Sequence, residues 1–225
     1  MQMGHNVCLY LRVEKPVKKD IMPRAFSYVV KRDYGFAPNP FYGILTLATC
    51  KPLIRRGASV GDFIIGNADA SHENKLIYMA KVSEVITFDQ YWNDPRFECK
   101  KPVMNGSLKK LYGDNIYHHG TDGNWVQEDS HHTNNDGTMN IHNLERDTGK
   151  TDHVLVCYEY IYLGRSMIKV PEEYENCIHK GRNHHCPSFP EAQRLWDYLI
   201  TLYPEGGKID QPNKFIKFER YGGVA

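Results

Sequence analysis

The sequence predicts an α+β fold, built as a curved, mostly antiparallel sheet or a small β-barrel with a few flanking helices. Three observations point there. Short runs rich in Val, Ile, Tyr and Phe recur along the 225 residues, bounded by Gly, Pro and Asn. These runs are not separated by regular helical patterns, which argues against a doubly wound parallel sheet. Two stretches carry capping boxes, and one of them opens a long amphipathic stripe. The length suits one domain over 1–225, with roughly the last ten residues expected to fray.

Taken in order, Asn6 to Val13 alternates partially and reads as a strand, as does Phe26 to Lys31. Asp33 to Gly43 holds two prolines and two glycines and is expected to form no regular element. Ile44 to Ala48 is the next strand, and Val60 to Gly66 is a turn feeding a buried one. Leu76 to Ile86 alternates as one long strand. Thr87 with Gln90 caps a short helix through Trp92, which Asn93-Asp-Pro95 ends. His153 to Leu163 is a strong strand, and Ile168 to Val170 extends the sheet. Ser188 with Glu191 opens a helix whose stripe is Ala192, Leu195, Trp196, Leu199, Leu202 and Tyr203. Phe215 to Phe218 reads as an edge strand.

Composition narrows the function. A net charge of +1 argues against a broadly basic, DNA-wrapping protein, while leaving room for a local basic patch. No apolar run approaches the roughly 18 residues that a membrane helix needs. Met1 to Val7 lacks the pattern of a secretion signal. The six cysteines are scattered without a close CxxC pair, so reduced thiols and a cytoplasmic location are expected. No glycine-rich phosphate loop marks a cofactor, and no cofactor is expected.

Chemistry concentrates in Asn115 to Asn143, which is crowded with imidazoles, amides, carboxylates, hydroxyls and an indole. So little aliphatic bulk cannot be explained by packing; the segment is either a polar surface loop or the wall of a site. The Asp33 to Gly43 loop carries Tyr34, Phe36, Phe41 and Tyr42 beside Asn39. Rigid rings beside an amide suit a planar heterocycle, although rings anchoring a loop to the core give the same pattern. Lys51, Arg55 and Arg56 form a cationic cluster suited to phosphate, or simply a solvated basic face. Arg96, Lys100 and Lys101 follow Tyr91 and Trp92, an interleaving of cations and rings that suits exposed bases or an ordinary surface.

Several long runs resemble the second nucleotide-modification-associated domain family. They are Asp33 to Phe41, Thr46 to Pro52, Ile54 to Arg56, Gly61-Asp62, Leu76 to Tyr78, Tyr91-Trp92, Asp94 to Phe97, Gly113 to His118, Trp125 with Gln127, and Asp129 to His132. The resemblance implies a role in bacterial or phage systems that handle modified nucleotides, including defence. The expected ligand-binding set also includes Asp33, Phe41, Tyr117 and His118. A weaker likeness links the glycine-aspartate turn and the short aromatic helix to the pseudouridine-synthase-and-archaeosine-transglycosylase-like barrel. That resemblance implies a barrel whose relatives include readers of methylated bases.

Two functions emerge as expectations. As a binding module, the chain would stack a modified base or nucleotide, free or in DNA, on Phe36, Trp92 or Trp125. Asn39, Asn115 and Gln127 would read its edge, and Lys51, Arg55 and Arg96 would take its phosphate. As an enzyme, it would use Asp129 with His131 or His132 as an acid/base pair, with Ser130 as nucleophile or positioning hydroxyl. On an extended strand only His131 would share a face with Asp129. Cys177, His179, His184, His185 and Cys186 also cluster, but their spacing fits no common zinc ribbon, so no metal is expected.

Overall fold

The computed structural model describes residues 22–222. The strand expected over Asn6 to Val13, with Cys8, lies outside them. Eleven strands are described: β1 (Ala25–Val29), β2 (Leu45–Leu47), β3 (Phe63–Asn67), β4 (Leu76–Lys81), β5 (Glu84–Thr87), β6 (Tyr117–His119), β7 (Trp125–Gln127), β8 (His153–Cys157), β9 (Glu159–Tyr162), β10 (His184–His185) and β11 (Gly207–Lys208). Five α-helices accompany them: α1 (Pro52–Gly57), α2 (Phe88–Asn93), α3 (Leu108–Leu111), α4 (Ile141–Thr148) and α5 (Phe189–Leu202).

The α+β class holds, but the sheet is mixed. Six strands run in the order β10-β1-β3-β4-β9-β11, three in the order β2-β8-β5, and β6 pairs with β7. In the large sheet β1–β3 and β9–β11 are parallel, and the other pairs are antiparallel. The β1–β3 pairing is parallel because the chain between them makes a long excursion through β2 and α1.

The two larger sheets meet at a shared bend and close no barrel among the described residues. Each of two expected long strands divides there, into β4 and β5 and into β8 and β9. Ser83 pins the bend: its N–H donates to Val156 O at 2.8 Å, and its hydroxyl accepts from Tyr158 N at 3.1 Å. Strands that switch sheets in this way make corners.

Alternation along the strands produces three apolar layers. Phe63 and Ile65 of β3 pack with Leu195, Trp196 and Leu199 of α5, while Ile64 joins Phe26 and Tyr28 between the two sheets. On β8, Leu155 and Cys157 enter that middle layer; Val154 and Val156 face Phe88, Tyr91 and Tyr117. Both capping boxes form. Leu202 ends the α5 stripe in solvent rather than in the core. Phe215 makes only an isolated bridge to Lys217, so the expected edge strand is absent.

Helices α1 and α4 are locked together against β8. Asn140 caps α4 by accepting from Asn143 N at 2.9 Å. Arg55 of α1 ties the two helices to the strand, donating to His153 O at 2.7 Å and to the carbonyl of Asp147.

Candidate functional site

Strand β2 runs into a turn where Cys50 and Lys51 both take left-handed backbone conformations, with φ of 56° and 42°. Non-glycine residues pay on the order of 1–3 kcal/mol for strained conformations of this kind, and such strain gathers at functional sites. The surroundings enforce it. Cys50 N donates to Asp147 Oδ1 at 2.9 Å, and Cys50 O accepts from Arg55 Nε at 2.8 Å. Pro52 then opens α1 at a position where its missing N–H costs nothing.

Asp147, on the buried face of α4, is the hub. Its carboxylate also accepts from Tyr117 Oη at 3.0 Å, Arg146 Nε at 3.0 Å and His132 Nδ1 at 2.9 Å. That last bond fixes the His132 ring, whose Nε2 then lies 3.8 Å from Cys50 Sγ. The main chain of His132 is held as firmly: its carbonyl accepts from Gln127 Nε2 at 3.2 Å and from Asn143 Nδ2 at 2.8 Å. Thiol, imidazole and carboxylate thus form a connected row.

Their electrostatics agree. Burial alone would raise the Cys50 thiol, but the His132 imidazolium beside it, with Arg146, brings it below its ordinary value. Burial would lower His132, yet Cys50 and Asp147 together raise it. Burial likewise disfavours the Asp147 carboxylate, and His132 with Arg146 reverses that, holding it well below the usual range. Each partner favours the charged form of the next, as in a thiolate–imidazolium pair.

Cys50 and His132 open into a cleft of about 330 Å³. Phe36 stands edge-on to His131 and His132, with ring centroids 5.0 and 4.6 Å apart. Tyr221 lies nearly parallel to His131, and Arg32 stacks over Tyr221 at 4.3 Å. Tyr34 completes the aromatic wall. Lys31, Arg32, Lys51 and Arg146 line the cleft, and no carboxylate among the described residues does. Burial lowers His131 to about pKa 3, with repulsion from His132 adding to it, so this wall is a neutral imidazole at pH 7. Arg146 is paired with Asp147 beneath the wall, so the cleft offers rings beside an excess of positive charge from Lys31, Arg32 and Lys51, a combination that fits planar anions.

Of the residues expected from sequence, Phe36, Lys51, His131 and His132 meet at this cleft. Arg55 does not reach its mouth; it is wholly buried beneath it. Tyr117 and Gln127 also sit beneath, holding Asp147 and His132. Asn39 and Asn115 spend their amide N–H groups on the main chain, at Tyr112 O and Tyr91 O, both within 2.9 Å. Asp33 is buried against the Tyr162 hydroxyl, and Phe41 packs on Phe215. Arg96 is engaged by Glu84 and Asp94 on an exposed face. Trp125 packs on His119.

Trp92 stacks on His118 at 4.0 Å in a second hollow of about 490 Å³, which Asp129 also borders. There Lys101 pairs with Glu98 at 2.6 Å, the carboxylates of Glu98, Glu128 and Asp129 line the wall beside Lys101 and Lys110, and one indole supplies its only large ring among the described residues.

The expected Asp129–His131 pair does not form. After Gln127 the chain turns instead of continuing as a strand, so the two-residue periodicity no longer applies. Asp129 accepts from Arg220 and Thr133, His131 Nδ1 donates to Glu219 O, and the Ser130 hydroxyl is buried and accepts from His132 N at 3.3 Å. Sequence reasoning does not reach Cys50 or Asp147. Their one local signal is a cysteine in a strand–turn–proline context, Thr46 to Pro52.

The Cys177–Cys186 cluster does not converge on one site, although the His179 and His185 rings stack at 5.8 Å. Cys177 is buried under α5, His179 pairs with Arg182 O at 2.9 Å, His185 with Asn176 O at 2.8 Å, His184 packs on Phe26, and Cys186 is exposed. The five described cysteines are all free thiols. Among the described residues, no helix is long and apolar enough to cross a membrane.

Comparison with curated proteins and with solved structures gives no match. One family model does match, and it spans residues 22–219, the greater part of the chain and all but three of its described residues. The chain belongs to the nucleotide modification associated domain 2 family.

Proposed function

We propose that the cleft between the Asp33–Gly43 loop, the Cys50 turn and Tyr221 binds a nucleotide or modified nucleobase. One observation carries this reading. Four cationic side chains and a wall of rings line one cavity with no lining carboxylate among the described residues, and of the four only Arg146 is ion-paired among those residues, with Asp147 beneath the wall. Its volume, about 330 Å³, suits a single small ligand. A base stacked on Tyr221, the least buried ring of the wall, would gain on the order of 1–3 kcal/mol. Phosphate on Arg32, Lys51 or Arg146 would add the charge-dependent part. The family gives the ligand class its context, a system associated with nucleotide modification. The resemblance to such proteins in bacteria and phages supports defence as one of its settings.

Equilibrium dialysis against deoxynucleoside monophosphates, with and without substituents on the base, and against short DNA carrying the same bases, tests the reading. Saturable uptake of a monophosphate that weakens with added salt supports it. Uptake of duplex DNA alone would move the ligand from a free nucleotide to a polymer. No uptake of any of these would end the proposal.

A further inference from the structure

We propose that Cys50 is the nucleophile of a covalent reaction in this cleft, with His132 as its proton acceptor and donor and Asp147 as the residue that positions His132. The substrate class we infer is a nucleotide bearing an acyl group on an exocyclic amine of its base. The nucleophile does not depend on the nucleotide-binding reading; the substrate class rests on it.

Four observations converge. The Cys50 Sγ–His132 Nε2 separation of 3.8 Å is hydrogen-bond distance for sulfur. The opposite ring nitrogen is fixed by a carboxylate at 2.9 Å. This is the arrangement that activates a nucleophile: a base within reach and a third group orienting the base. The cysteine sits on a strained left-handed turn between a strand and a helix, a placement that suits a nucleophile. And the thiol opens into a cavity instead of being sealed in the core, as Cys157 and Cys177 are.

A metal could in principle use the same three side chains, which lie within 4.8 Å of one another. The neighbours argue otherwise. Asp147 already accepts from Cys50 N, Tyr117, Arg146 and His132, leaving Sγ and Nε2 as the two atoms free to turn outward. The guanidinium groups of Arg55 and Arg146 add positive charge beside them. Two ligands in a cationic setting are a poor zinc site, which takes three or four.

The chemistry balances with water alone. The Cys50 thiolate attacks the acyl carbon and the Sγ–C bond forms. The C–N bond breaks, and the departing exocyclic amine takes the proton from His132 Nε2. Water then attacks the thioester carbon while His132 accepts its proton. The Sγ–C bond breaks, and the carboxylic acid leaves with the thiolate restored. Lys51 and Arg146 are placed to balance charge on the developing oxyanion.

Alkylation with iodoacetamide, read by peptide mass spectrometry across pH, tests the nucleophile. In the wild type Cys50 should react faster than the other described cysteines near neutral pH. His132→Asn should slow Cys50 on the order of tenfold at pH 7 and move its pH profile to that of an ordinary thiol. Asp147→Asn should move the profile in the same direction, because loss of the partner that keeps His132 charged outweighs relief of the repulsion between Asp147 and the thiolate, an effect that loss of packing alone would not produce. An ordinary thiol profile in folded wild type overturns the nucleophile, and so does stoichiometric zinc that shields Cys50 until a chelator removes it. The substrate is tested separately, with N4-acetyl-deoxycytidine monophosphate. Release of acetate, with acetyl trapped on Cys50 by acid quench, supports the class; a reactive Cys50 that leaves this probe and its adenine counterpart intact overturns it. Protection of Cys50 by unmodified deoxycytidine monophosphate reports on the cleft itself. The binding reading can therefore fail without the nucleophile failing.

Discussion

Arg55 donates from Nε to the main-chain carbonyl of Cys50 across 2.8 Å, and no part of Arg55 reaches solvent. Its other two guanidinium nitrogens donate to the carbonyls of His153 and Asp147. A residue that reads as a phosphate ligand in the sequence is thus the support under the turn that presents the thiol. Arg55→Met should strand three carbonyls and cost roughly 3 kcal/mol or more, since each unsatisfied buried polar group costs about 1–3 kcal/mol. Arg55→Lys, a point charge without the fork, should fall between the two. Urea titration measures both; a loss below about 1 kcal/mol for the methionine variant contradicts the role.

His131 makes a pH prediction. Its folded pKa of about 3 lies below the ordinary 6.5. Between those values the unfolded chain binds a proton that the folded chain refuses, so stability falls as pH drops through that window. The full difference is up to roughly 5 kcal/mol. His131→Gln cannot titrate there, so its stability should decline less between about pH 7 and pH 4. Parallel denaturation curves at the two pH values decide it, and equal acid slopes for the two proteins would refute the assignment.

How much of the molecule is legible in the sequence depends on the range over which each feature is determined. Capping boxes, the α5 stripe as far as Leu199 and the Phe36 loop depend on neighbours a few residues apart, and each is found where periodicity and turn chemistry put it. The bends that split two long strands depend on Ser83 meeting Val156 and Tyr158, which no local pattern announces. The site divides the same way. The His131–His132 pair is conspicuous in a polar stretch. Asp147 is not: α4 has few apolar residues, and its carboxylate meets Cys50 97 positions away. Asn39 and Asn115 read as edge readers because an amide's chemistry is the same whether it serves a ligand or the main chain; only burial tells them apart.

The cationic wall of the cleft makes a third prediction. Arg32 lies over the Tyr221 ring and lines the cavity. Arg32→Ala should weaken a monophosphate several-fold and flatten its salt dependence, because one screened charge interaction is gone. The matching nucleoside, which has no phosphate, should lose much less. Titrations at low and high ionic strength with both ligands separate the outcomes, and an equal loss for nucleoside and nucleotide would point to the ring rather than the charge.

Asp129 acts at a distance from the chemistry, through the chain's C-terminal segment. Its carboxylate is gripped at two points by Arg220 and accepts from Thr133 Oγ1 at 2.9 Å. The next residue, Tyr221, donates its N–H to His131 O at 2.6 Å and presents its ring to the cleft. Asp129 is therefore a tether for one aromatic face of the site, and its carboxyl lies below the ordinary value: burial opposes the charge, and Arg220 and Thr133 outweigh it. Asp129→Asn keeps the shape but removes the charge, leaving the Arg220 guanidinium with weaker neutral partners. Hydrogen exchange over 219–222 should accelerate, and nucleotide affinity should drop several-fold as the Tyr221 ring loses its fixed position. The pH profile of Cys50 alkylation should stay as in the wild type, because the hydrogen bonds that join Cys50, His132 and Asp147 do not include Asp129. A shifted thiol profile in Asp129→Asn would mean that the tether and the nucleophile form one coupled unit instead of two.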